Sequence, residues 1–172
     1  MIDVSQATET ELPIIRRLAQ QIWPNTFKEI LTEQQIDYMV EMMYSIESLK
    51  SQMNDEGHVF LLAQEKESGE YLGYVSYESG YKGHPITKIH KIYLLPDSQG
   101  KGIGRKLLDE VADRATSQEN ITISLNVNRH NKAIQFYERM GFSHVRDEKI
   151  DIGQGFIMDD YVMEKALKKN SK

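Results

Sequence analysis

The chain has 172 residues, 40% hydrophobic and 27% charged, with a formal net charge of −5 and no cysteine. That length suits a single domain spanning residues 1–172. The missing cysteines exclude disulfide scaffolds, thiolate metal sites and cysteine nucleophiles, and the acidic balance speaks against a nucleic-acid partner while suiting a small cationic one.

No uncharged apolar run approaches the ~18–20 residues that span a bilayer, and MIDVSQATETE carries no basic region followed by an apolar one. The expectation is a cytoplasmic protein without a membrane partner. The basic tail Lys165–Lys172 is expected to be a solvated terminus rather than a binding patch.

In chain order, Ile2 to Val4 opens as a short strand, and a helix begins near Thr8 or Thr10 with Ile14, Ile15, Leu18, Ala19 and Ile22 on one face. Trp23-Pro24-Asn25 is expected to end it. A second helical region covers about 32–53, with a break near Ser45. VFLLAQE and YLGYVSYE, separated by Ser68-Gly69-Glu70, read as a hairpin, and Ile86 to Leu95 as a third strand. An amphipathic helix follows, with Ile103, Leu107, Leu108, Val111 and Ala115 on its apolar stripe. Ile121, Ile123, Leu125 and Val127 alternate with polar residues as a strand. Ala133, Ile134, Phe136, Tyr137 and Met140 recur at helical intervals, and Gly141 stands where a left-handed cap would close that helix. Strands at about 142–152 and 156–166 finish the chain. The fold class is mixed α/β (α+β), a central sheet of about six to seven strands with about four helices on its faces.

Between the third strand and its helix lies QGKGIG, residues 99–104. A helix N-terminus offers unpaired N–H groups and partial positive charge, and glycines let an anion approach them, so the stretch is a candidate phosphate cradle. It lacks the Lys-Ser/Thr ending of a P-loop, and its G-x-G-x-G spacing is not the G-x-G-x-x-G of a dinucleotide fold.

The stretch resembles the Q/R-x-x-G-x-G/A pyrophosphate loop of the GNAT superfamily of acetyl-CoA-dependent N-acetyltransferases, met at Gln99, Gly102 and Gly104. The preceding IYLLPD, the later NVNRHNKAIQFYERMGF and the element order extend the likeness over nearly the whole chain. The resemblance implies acetyl-CoA as co-substrate and no metal. It implies that backbone N–H groups of Gly100, Lys101, Gly102, Ile103, Gly104 and Arg105 hold the pyrophosphate, with Lys101 and Arg105 adding charge. It also implies that Ile92, Tyr93 and Leu94 bind the pantetheine arm through their backbone, with Asn126, Asn131 and Phe136 as further coenzyme contacts. Asn131 alternatively only caps its helix.

By the same resemblance Tyr137 protonates the departing thiolate. Many relatives carry a glutamate base four residues before the position of Ile92, where this chain has Lys88. His90 and Glu78 are then the candidate bases, with an ordered water as the alternative. IWPNTF, IDYMVEMMY and GFIMDDYVMEK look more loosely like bacterial polyamine acetyltransferases of the spermidine/spermine type. The acceptor is therefore expected to be a small primary amine, with peptide N-termini as an alternative, and a non-catalytic acetyl-CoA-binding module as the competing class. Relatives often pair through their C-terminal strands, which leaves room for a homodimer.

Overall fold

The computed structural model describes residues 1–168; Lys169 to Lys172 of the basic tail lie outside the described residues. Among the described residues seven strands form one sheet: β1 (Ile2–Gln6), β2 (Val59–Glu65), β3 (Tyr71–Glu78), β4 (Ile86–Leu94), β5 (Thr122–Asn128), β6 (Ser143–Gly153) and β7 (Phe156–Ala166), in the order β1-β2-β3-β4-β5-β7-β6. The helices are α1 (Leu12–Phe27), α2 (Glu33–Tyr44), α3 (Ile46–Asn54), α4 (Ile103–Ser117) and α5 (Ala133–Arg139). Backbone proximity divides the described residues into two compact units, one of residues 1–78 and 91–111, the other of 79–90 and 112–168.

In the first unit α1, α2 and α3 accompany β1, β2 and β3. The β1–β2 and β2–β3 pairs are antiparallel, with Leu61 opposite Gln6 on one side and Val75 on the other. Leu12, Ile15, Ile22, Leu49, Phe60, Leu61, Val75 and Leu107 are fully buried there. A capping box between Thr8 and Glu11 starts the first helical segment as a 3-10 turn, and α1 then runs straight through Pro24 instead of ending there. Proline removes one backbone donor, and the carbonyl so orphaned belongs to Gln20. Gln20 and Pro24 are both on the exposed side, so that carbonyl faces solvent and not the core. On the other side Trp23 and Phe27 are buried with ring centroids 4.5 Å apart, and their packing favours another turn of helix. Ser45 breaks the second helical region as expected, since its Oγ accepts from Ser48 N and caps α3.

In the second unit Ile86–Ile89 pairs parallel with Thr122–Leu125, and β5 pairs antiparallel with β7, which pairs with β6. Ile123, Leu125, Val162 and Met163 are among its fully buried side chains. The end of α5 is a Schellman motif. Gly141 at φ +97° donates to Glu138 O at 3.0 Å, Phe142 N donates to Tyr137 O at 3.0 Å, and the Phe142 ring lies 5.9 Å from that of Tyr137. A Cβ at Gly141 would also crowd Lys165 Cε at 3.3 Å.

Candidate active site

The first unit holds the end of β4, the glycine loop and the start of α4. Leu95 N donates to Leu72 O at 2.9 Å, which fixes the strand's exit, and Pro96–Ser98 makes a 3-10 turn. Gly100 and Gly102 follow at φ +79° and +78°, with nothing within 4 Å of a Cβ built on either. Glycine is needed there for its backbone freedom, not for lack of room. The α4 ladder begins with Lys106 N donating to Gly102 O at 3.1 Å. The N–H groups of Ile103, Gly104 and Arg105 precede that first bond and form the unpaired first turn. Gly104 lies within the helix, so its backbone makes no demand for glycine.

Ile103 is buried and seats the helix start, while Gln99, Lys101 and Arg105 are exposed. Arg105 Nε stands 4.0 Å from Asp109 one turn along. Lys106 Nζ donates to Ile2 O at 2.6 Å and ties α4 to β1.

Ile92, Tyr93 and Leu94 are half-buried. A Cβ at Gly73 would come within 2.6 Å of Tyr93 O and 2.5 Å of Leu94 Cδ2, so the close approach of this strand segment requires glycine there. The Tyr93 ring turns into an aromatic cluster, 5.5 Å from Trp23, 6.1 Å from Phe27 and 6.0 Å from Tyr74. Trp23 Nε1 donates to the Tyr44 hydroxyl at 3.3 Å, and the Tyr74 and Tyr44 hydroxyls share a bond of 2.7 Å. Burial pushes both phenols well above their usual pKa.

Glu78 Oε1 lies 3.5 Å from the buried His58 Nε2. The sequence reading did not single out His58; the register Val59 to Tyr77 sets it beside Glu78, a pairing readable only once the two strands are matched.

The second unit holds the remaining candidates. Tyr137 is buried on α5 between Phe136 at 5.5 Å and Phe142 at 5.9 Å, and burial raises its pKa, so the phenol keeps its proton at neutral pH. Asn131 Oδ1 accepts from Ala133 N at 2.8 Å and so caps the start of α5. The His90 ring meets the Tyr81 ring edge-on at 5.9 Å, and Lys88 stands over the same Tyr81 at 5.5 Å. Lys88 Nζ also donates to Asn126 Oδ1. Asn126 Nδ2 reaches Glu148 Oε1 at 3.1 Å and Asp160 Oδ2 at 3.4 Å. Both ends of the Asn126 amide are thus engaged by protein groups. Asp160 is 2% exposed, and its burial lifts the carboxyl to a pKa of about 6, against the pull of its bond from Asn126.

A strand here turns through two positive-φ glycines onto an unpaired helix turn, a strand-loop-helix arrangement whose backbone donors suit an anion. A family model described as an acetyltransferase (GNAT) domain matches residues 27–165, and the chain belongs to that family. An L-methionine sulfoximine/L-methionine sulfone acetyltransferase of Pseudomonas paraeruginosa is 32% identical over 104 residues, 59% of each chain. The N-acetyltransferase YuaI of Bacillus subtilis, itself uncharacterized, is 26% identical over 158 residues, 88% of this chain and 86% of its own. The PaiA N-acetyltransferase of Thermoplasma acidophilum, solved in complex with coenzyme A, superposes with a TM-score of 0.79 at 24% identity, covering 96% of this chain and 99% of that one, which establishes the fold. Among the described residues no helix is long and apolar enough to cross a membrane.

Proposed function

We propose that the protein transfers the acetyl group of acetyl-CoA directly to a primary amine of a small acceptor. The observation that carries this reading is the β4–loop–α4 unit, with Gly100 and Gly102 in the left-handed region ahead of the free first turn of α4, in a chain of this family. The backbone donors from Gly100 to Arg105 suit a pyrophosphate, and the exposure of Gly100, Lys101, Gly102 and Arg105 leaves the loop open to it. Ile92, Tyr93 and Leu94 present the strand backbone to the pantetheine arm. Asn131 and Phe136 are assigned to the coenzyme as well, Asn131 beside its capping role.

Acetyl-CoA supplies a thioester whose carbonyl carbon is open to attack. As the amine nitrogen bonds to that carbon, the carbon–sulfur bond breaks and the sulfur takes a proton from the Tyr137 hydroxyl, which burial keeps protonated for the purpose. The proton shed by the amine goes to His90 or Glu78, or through a water. With no cysteine in the chain, no acyl-thiol enzyme intermediate arises.

The net charge of −5 favours a polyamine acceptor, the name of the Pseudomonas relative favours an amino-acid analogue, and peptide N-termini form the third class. Thiol release from acetyl-CoA, measured with spermidine, amino acids, simple amines and short peptides, tests the reading. Turnover with one class supports it. Coenzyme binding without turnover on any amine overturns it in favour of a non-catalytic acetyl-CoA-binding module.

A further inference from the structure

Lys91, in the middle of β4, is buried with 6% exposure. Its Nζ donates to Gln52 Oε1 at 2.6 Å and stands 5.4 Å from the centroid of the Tyr44 ring and 5.8 Å from that of Phe60. Gln52, also buried, is held by its other end. Its Nε2 donates to Met43 O at 2.8 Å and Ser48 Oγ at 3.0 Å, which aims the carbonyl at the lysine. The carboxylate whose field reaches Lys91 is the exposed Glu56, and among the described residues no carboxylate makes an ion pair with it.

An ammonium has three donors, and the Gln52 oxygen takes one of them. A buried cation that faces a neutral amide and two ring faces is a costly arrangement for packing alone, because methionine fills the same length without the charge. Burial lowers the pKa of Lys91 to about 8, with Glu56 opposing, so the side chain is mostly charged at neutral pH. The position also has a direction. Lys91 immediately precedes the Ile92–Leu94 segment assigned above to the coenzyme arm, and its side chain lies against α2 and α3 through Tyr44 and Gln52.

We infer that Lys91 is a specificity-determining residue whose ammonium, aimed by Gln52 and flanked by Tyr44 and Phe60, receives a carboxylate of the acceptor, so that the acceptor class is an amino acid rather than a polyamine. The inference rests on the acetyl-transfer reading. It gives the buried ammonium, which no carboxylate among the described residues contacts as an ion pair, a counter-ion brought by the substrate, and a fixed buried cation repels a polycation by the same field.

The experiment measures thiol release by the full chain with L-leucine against isopentylamine and L-phenylalanine against phenethylamine, each pair differing by the carboxylate, and with spermidine. Wild type is expected to favour the amino acid of a pair in kcat/KM by at least about tenfold. Lys91→Met removes the charge, and Gln52→Glu sets a carboxylate against it while leaving the lysine in place. Each is expected to cut that preference by about tenfold or more, chiefly through KM for the amino acid, whereas Lys91→Arg retains most of it. If Lys91→Met fails to fold, Gln52→Glu alone decides. An unchanged preference in Gln52→Glu, or a wild type that prefers spermidine or the bare amines, overturns the inference and leaves acetyl transfer standing. Thiol release with none of the acceptors overturns acetyl transfer and the inference with it.

Discussion

Lys88 and Lys91 sit on opposite faces of β4, and both are buried, yet they meet burial in different ways. Lys88 bonds Asn126 and feels Glu148, Glu164 and Asp160, so its pKa is lowered by burial but held up by carboxylates. Lys91 has a neutral amide and aromatic faces, and among the described residues the carboxylate whose charge acts on it is the exposed Glu56. One lysine is a member of a charge network that spans β4, β5, β6 and β7. The other is a cation that bonds a neutral amide, with no carboxylate in ion-pair contact among the described residues. A buried charge with neighbours of opposite sign is explained by structure, whereas one without them asks for a ligand.

That contrast can be broken by exchanging each lysine for methionine. Lys88→Met leaves Glu148 and Asp160 facing each other without their cation and is expected to lower stability by about 3 kcal/mol at pH 7 in denaturant melts. Lys91→Met is expected to raise it by about 1–3 kcal/mol, a trade of stability against function. Equal losses in the two variants would mean that Lys91 is also a structural cation.

The pH dependence sharpens the difference. The folded pKa of Lys91, about 8, lies below its ordinary 10.5, so the unfolded chain binds more protons between those values and the penalty eases as pH rises through them. The advantage of Lys91→Met over wild type should therefore shrink between about pH 8 and pH 10.5. For Asp160 the folded value of about 6 lies above the ordinary 3.8, so the folded chain binds the extra proton and stability falls as pH rises from about 4 to 6. Asp160→Asn should remove that slope and gain about 1–2 kcal/mol at pH 7, read from melts at a series of pH values. A smaller effect separates the loop glycines. Gly102→Ala, at φ +78°, should cost about 1 kcal/mol, while Gly104→Ala, inside the helix, should gain about 0.5–1 kcal/mol in the absence of coenzyme.

The strands, the break at Ser45, the loop and the cap at Gly141 were legible because each is written locally, in apolar spacing, a capping hydroxyl or a glycine at a turn. Pro24 was misread because a local helix breaker was outweighed by the packing of Trp23 and Phe27, which sequence neighbours do not reveal. The polar partners were the least legible part. His58 beside Glu78, Gln52 aimed at Lys91, and Asn126 between Lys88 and Asp160 each join residues far apart in the chain. The one local signal for Lys91 was a lysine on the same strand face as Ile89 in the run IHKIYLL, at a position where strand periodicity puts a buried side chain.

The central claim is acetyl transfer with Tyr137 as the proton donor, and Tyr137→Phe tests it most directly, because phenylalanine fills the same buried space. With the acceptor that wild type turns over, the variant is expected to lose about 10²-fold or more in kcat while its KM for acetyl-CoA stays within about threefold. Full activity of Tyr137→Phe across the pH range would contradict the account.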